Sequence, residues 1–169
     1  MPFWRSYGHF VWATKNREAH IAASFEQRLF EQVVNKAAEN GCYVYAINGM
    51  PDHIHVVLTF PPKLSVADVA KVLKGSSAHF VNHIIRPPEY HFAWQRGYGY
   101  LSLGHRQVAD AIAYVERQKE HHAHGTCNLW LERCSDVDEG PTIYATAEDK
   151  VKVVRENADV QYSIEELPF

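Results

Sequence analysis

Apolar and polar positions along the first three quarters of this chain alternate between a period of two and a period near four. Residues 3–14 are aromatic and β-branched and predict a strand. Phe25, Leu29, Val33 and Ala37 recur every four residues, which predicts a helix with one buried face; Ser24-Phe25-Glu26-Gln27 reads as its capping box, and it runs to Asn40 and stops at Gly41. Cys42 to Ile47 alternates in β-formers, and the turn-rich Asn48-Gly49-Met50-Pro51 joins it to the apolar run 52–60 as a hairpin. Ser65 and Asp68 mark the start of a helix reaching about Asn82, with Val66, Val69, Leu73 and Phe80 on its buried side. A proline- and aromatic-rich loop from Arg86 to Gln95 precedes a short strand, Tyr98 to Leu103, and a last helix from about Arg106 to His122. The order β-α-β-β-α-β-α predicts an α+β fold: a ferredoxin-like, RRM-like four-stranded antiparallel sheet with helices on one face, plus an extra C-terminal helix.

Two segments of this pattern carry chemistry. In Asp52-His53-Ile54-His55-Val56-Val57-Leu58, strand alternation sends His53 and His55 to one side and Ile54, Val56 and Leu58 into a core. Two imidazoles side by side can grip one metal ion; the plain alternative is a pair of surface histidines on a half-buried strand. On the last helix Val108, Ala111, Ile112 and Val115 make the buried stripe, and Tyr114, Gln118 and His121 follow a flanking stripe at spacings of four and three. Taken alone, that tyrosine and glutamine are ordinary residues at the margin of an amphipathic helix. His121, His122, His124 and Cys127 make a second metal site on paper only, since a histidine-rich helix end also suits the helix dipole.

Composition narrows the class. With 169 residues and 46% hydrophobic content the chain can bury one real core. No stretch approaches the roughly 18 apolar residues of a membrane span, and the N-terminus has no basic region followed by an apolar one, so a cytoplasmic protein with no membrane partner is expected. Cys42, Cys127 and Cys134 contain no C-x-x-C pair, which fits a reducing compartment and suggests neither a disulfide framework nor a zinc ribbon. Charge is uneven. Residues 1–125 hold 13 Lys and Arg against 10 Asp and Glu and all 11 histidines, whereas residues 126–169 hold 4 against 10. The basic part is where an anionic partner would bind, and the acidic part would repel that partner or compete with it. Two domains are expected: residues 1–125 carrying the chemistry, and 126–169 as an acidic tail with a linker at Asp136–Pro141 and a weak helix at Glu148–Arg155.

Three separated motifs, Pro51-Asp52-His53-Ile54-His55, Trp94-Gln95-Arg96-Gly97-Tyr98-Gly99-Tyr100 and Tyr114-Val115-Glu116-Arg117-Gln118 with His121-His122, closely resemble the single-tyrosine HUH transposases. These are the enzymes of small bacterial insertion sequences and their relatives associated with repetitive extragenic palindromes (REP). The resemblance spans about residues 3–124. It implies a bacterial metal-dependent nuclease and strand transferase for single-stranded DNA with hairpins or palindromic repeats. His53, His55 and Gln118 would bind the divalent metal, and Tyr114 on the now catalytic helix would attack a phosphodiester to leave a 5′-phosphotyrosyl enzyme. A phenol with a pKa of about 10 is a poor nucleophile unless its proton is taken and the phosphate polarised. Two imidazoles and an amide, none of them anionic, leave the cation most of its charge for that task, and permit Mg²⁺ or Mn²⁺, the latter better suited to imidazole.

DNA contacts are expected from Arg5, Lys15, Arg17, Lys71, Lys74 and Arg96, from stacking on Trp94, and from His121, which can instead orient Tyr114. For Trp94 the plain alternative is closure of the core, and for each cation a solvated side chain. Relatives pair through their sheets, and an open sheet has edges to cover, so a homodimer is expected. A histidine-triad hydrolase fails because Val57 and Leu58 stand where its third histidine belongs. A non-catalytic or domesticated nucleic-acid-binding module of the same fold is the remaining alternative.

Overall fold

The computed structural model describes residues 3–87, 89–129 and 131–135. Strands β1 (Tyr7–Ala13), β2 (Tyr43–Met50), β3 (His53–Thr59) and β4 (Gly99–Leu103) form one sheet in the order β2-β3-β1-β4, antiparallel throughout. Helix α1 (Glu26–Glu39) joins β1 to β2 and α2 (Val66–Phe80) lies between β3 and β4, while α3 (Val108–Glu116) and α4 (Gln118–His124) follow the sheet. This is the α+β, ferredoxin-like topology expected from the order of periodic segments.

The stripe Phe25, Leu29, Val33 and Ala37 is buried as the spacing requires. The start of α1 differs from expectation. Phe25 is its first flanking residue and no side chain caps it; the Phe25 and Glu26 amides instead bond the Ala22 carbonyl at 3.0 Å, so the turn from 22 to 25 replaces the capping box at Ser24. The box at α2 does form: the Ser65 hydroxyl accepts from the Asp68 amide at 3.1 Å, and Asp68 accepts from the Ser65 amide at 3.3 Å. Beyond Phe80 that helix continues as a single π turn, Val81–Ile85.

The sheet is covered on both faces. Phe10, Trp12, Ile54, Val56 and Leu58 pack against α1 and α2, whereas Val57 and Ala46 pack against Ala111, Tyr114 and Val115 of α3. The extra helix therefore lies opposite the first two, and β1 and β3 are buried along their full length or nearly so. Each fully buried aliphatic side chain contributes roughly 1.5–3 kcal/mol, so Ile54, Val56 and Leu58 anchor β3 while the alternate positions are left for His53, His55 and Val57.

Strand β2 runs on through Asn48, Gly49 and Met50, and the hairpin turns at Pro51-Asp52, later than the sequence pattern suggested. Gly49 pairs with Ile54, and a Cβ there would strike the His53 carbonyl and the Ile54 backbone. Gly49→Ala is therefore expected to cost about 1–3 kcal/mol, as an overpacked site with no flexible neighbour to yield, and to displace His53; denaturant unfolding checks the first and metal binding the second.

Candidate active site

His53 and His55 point from β3 to the α3 face of the sheet, 1% and 0% exposed. Each has its Nδ1 engaged behind it. His53 Nδ1 lies 2.7 Å from Asp52 Oδ1, and the carboxylate there fixes the proton on Nδ1. His55 Nδ1 lies 3.0 Å from His9 Nε2, and the two rings stack at 5.1 Å. Burial foremost, then the neighbouring His55, lowers the His9 pKa to about 3, so His9 is held neutral against His55. Both Nε2 atoms consequently face Glu132 Oε2.

Burial of a neutral His9 has a thermodynamic signature. Its folded pKa near 3 lies below the unfolded 6.5, so the unfolded chain binds the extra proton and stability falls as pH drops through 6.5 toward 3. Between pH 6.5 and 5 this one group removes up to about 2 kcal/mol. His9→Gln is expected to flatten that part of the profile relative to the parent chain, read by urea unfolding in the presence of chelator.

The helix that meets these imidazoles is broken. Arg117 leaves helical geometry at φ −98° and ψ 20°, dividing what the pattern read as one helix into α3 and α4. Tyr114, Gln118 and His121 nevertheless share one side, as their spacing required. Tyr114 is 9% exposed and Gln118 0%, so the phenol belongs to the buried stripe rather than its wet margin, and Val108 is only half-buried. The His121 ring stacks on Tyr114 at 4.6 Å with an interplanar angle of 19°, and the Asn128 amide donates to the Tyr114 oxygen at 3.0 Å.

At the centre stands Glu132, which the sequence reading did not single out. Its Oε1 accepts from the Tyr114 hydroxyl at 2.5 Å and from the Gln118 amide at 2.6 Å. Its Oε2 lies 3.2 Å from His55 Nε2, 3.2 Å from His53 Nε2, off the hydrogen-bonding direction, and 3.5 Å from His122 Nε2. Burial would raise the Glu132 pKa, but the contacts with His53, His55 and Tyr114 outweigh it and hold the carboxyl ionised. Burial first, and then the bond to Glu132, push the Tyr114 phenol well above its ordinary value. Burial likewise lowers His55, whereas the partners Asp52 and Glu132 overcome burial and raise His53.

The donor set fits a divalent cation. His53 Nε2, His122 Nε2 and Gln118 Oε1 are buried without a hydrogen-bond partner, and His53, His122 and Glu132 offer ligand atoms within 4.8 Å of one another. His122 thus joins the same site rather than a separate cluster with Cys127.

The remaining sequence candidates divide. Arg5, Lys15, Lys71 and Arg96 are exposed. Arg17 binds Asp52 at 3.3 Å and the Cys134 sulfur at 3.2 Å, bracing the carboxylate behind His53. Lys74 donates to the carbonyls of Gln95, Arg96 and Gly97 at 2.7–2.9 Å, which spends it on the loop before β4. Trp94 donates to the Ser77 hydroxyl at 3.0 Å and packs edge-on against Trp12, so it closes the core and is only part-exposed. The linker at 136–141 and the helix at 148–155 lie outside the described residues.

A tyrosine buried on an added helix thus meets two strand histidines on one face of a ferredoxin-like sheet. A family model described as "Transposase IS200 like" matches residues 2–118, and the chain belongs to that family. It is 27% identical over 118 residues to the ISDra2 transposase TnpA of Deinococcus radiodurans, covering 66% of this chain and 83% of the relative. It is 26% identical over 122 residues to the transposase for insertion sequence element IS200 of Salmonella typhimurium, covering 69% and 79%. Among solved structures, a Deinococcus radiodurans protein described as a transposase matches with TM-score 0.54 and 27% identity over 70% of this chain and 95% of that one. The REP-associated tyrosine transposase bound to a REP hairpin shares the fold, with TM-score 0.55 and 15% identity over 72% and 74%.

Proposed function

We propose that this transposase is a metal-dependent endonuclease and strand transferase for single-stranded DNA, with Tyr114 as nucleophile and His53, His55 and Gln118 as ligands of Mg²⁺ or Mn²⁺. One observation carries the reading: the Tyr114 hydroxyl, the Gln118 amide and both histidine Nε2 atoms meet the two oxygens of a single carboxylate. A phosphodiester also presents two unbridged anionic oxygens, so groups that converge on the one can converge on the other. The cation, when bound, polarises those oxygens as a Lewis acid.

Tyr114 Oη attacks phosphorus and gives up its proton, the bond from phosphorus to O3′ breaks, and the departing O3′ takes up a proton in its place. The products are a 5′-phosphotyrosyl linkage and a free 3′-hydroxyl; attack by another 3′-hydroxyl restores a phosphodiester without ATP. The stacked His121 ring holds the phenol plane. Tyr114, Gln118 and both histidines are at most 9% exposed and are contacted by Glu132 and Asn128, so DNA reaches them only when those contacts open. Exposed Arg5, Lys15, Lys71 and Arg96 supply phosphate contacts. The hairpin carried by the REP-associated neighbour supports a hairpin-bearing single strand as partner.

The test uses single-stranded hairpin DNA and Mn²⁺ on a denaturing gel. A 3′-end label is expected to shift into a protein-sized band and a 5′-end label to appear on a shorter free strand; cleavage that leaves both labels free would refute the tyrosine chemistry. We also place the protein in the cytoplasm, in keeping with three unpaired cysteines, and as a homodimer, since β2 and β4 leave open sheet edges. Sedimentation at micromolar concentration should show twice the chain mass.

A further inference from the structure

We infer that Glu132 is an anionic ligand of the metal ion in the DNA-free chain, with His122 beside it, an inference that rests on the metal reading of His53, His55 and Gln118. Glu132 Oε2 stands at the distances expected between neighbouring ligands of one ion, and its ligand atom lies within 4.8 Å of those of His53 and His122. With bonds of about 2.0–2.2 Å to nitrogen and oxygen, neighbouring ligand atoms stand roughly 3.0–3.5 Å apart. Glu132 Oε2 lies 3.2, 3.2 and 3.5 Å from the Nε2 atoms of His53, His55 and His122. His53 keeps Nδ1 toward Asp52, which turns its Nε2 toward Glu132 Oε2, and that Nε2 is buried without a hydrogen-bond partner. A cation between them would give the orphaned His53 and His122 nitrogens and the carboxylate a common partner.

The carboxylate is also held in place from both sides. The Leu131 and Glu132 amides bond the Asn128 carbonyl at 3.0 and 3.1 Å, and the Asn128 amide donates to Tyr114. On the far side the Arg133 carbonyl packs where a Cβ on Gly99 would sit, and Arg17 donates to Cys134 at 3.2 Å. A carboxylate added to two imidazoles and an amide makes an ion-binding set that no longer needs DNA oxygens to complete it. Oε1 meanwhile holds the Tyr114 hydroxyl, so one side chain links the ion to the nucleophile.

The test is a Mn²⁺ titration of the full chain without DNA, by calorimetry, paired with the Co²⁺ visible spectrum, which reports the ligand set independently of activity. The parent chain is expected to bind one ion, Glu132→Gln to bind it at least 10-fold more weakly with a changed Co²⁺ spectrum, and His53→Ala to bind none at that site. Equal affinity and an unchanged spectrum for Glu132→Gln, with binding lost in His53→Ala, would overturn the role of Glu132 and leave the metal reading standing. No ion on the parent chain, or full binding by His53→Ala, would overturn both. Should Glu132→Gln unfold, Glu132→Asp, which keeps the charge but draws it back by one methylene, serves in the same comparison, with weaker binding expected and equal binding refuting.

Discussion

Tyr114→Phe is expected to abolish the covalent protein–DNA adduct, lowering cleavage by on the order of 10³-fold or more, because it removes the oxygen of the proposed nucleophile. The substitution removes one oxygen and little volume. Its structural cost is the loss of the bonds to Glu132 and to the Asn128 amide, roughly 1–3 kcal/mol against a core in which Val57, Ala111 and Val115 keep their packing. A folded variant that still binds hairpin DNA but forms no adduct therefore separates chemistry from binding. A Tyr114→Phe chain that forms adduct at the parent's rate would exclude Tyr114 as nucleophile.

The second large effect concerns the imidazoles. His53→Ala and His55→Ala are each expected to reduce Mn²⁺-dependent cleavage by on the order of 10²-fold or more, through loss of the ion that polarises the phosphate. Chelator should do the same to the parent chain, and added Mn²⁺ should restore it; it should not rescue the alanine variants at the concentration that saturates the parent. Removing either ring also leaves a cavity at a site 0–1% exposed, so melting temperature must be measured alongside. Unaltered cleavage in chelator would leave the two histidines a structural role only.

Much of this arrangement was legible before any coordinates. The alternation around Ile54, Val56 and Leu58 placed both histidines on one side of β3, and the spacing of Tyr114, Gln118 and His121 placed three groups on one side of a helix, because local periodicity survives in the fold. What the pattern could not give was destination. Glu132 lies 77 residues from His55, in a stretch without helical or strand period, and only the folded chain brings it to the imidazoles. Nothing in the aromatic segment 3–14 singles out His9, since register, not composition, sets it beside His55. Lys74 and Trp94 looked available for DNA but turn inward, as long amphipathic side chains can do when a carbonyl or hydroxyl lies within reach. The helix break at Arg117 has no proline or glycine to announce it, and the Ser24 box lost to a backbone turn on Ala22 that needs no side chain.

Mass spectrometry of the site tests the central claim most directly. The chain is incubated with Mn²⁺ and single-stranded hairpin DNA, then digested with nuclease and protease. The expected product is the peptide containing Tyr114 with a nucleotide joined through its 5′-phosphate to the phenolic oxygen. A nucleotide on any other residue, or cut DNA with an unmodified Tyr114 peptide at every time point, would contradict it.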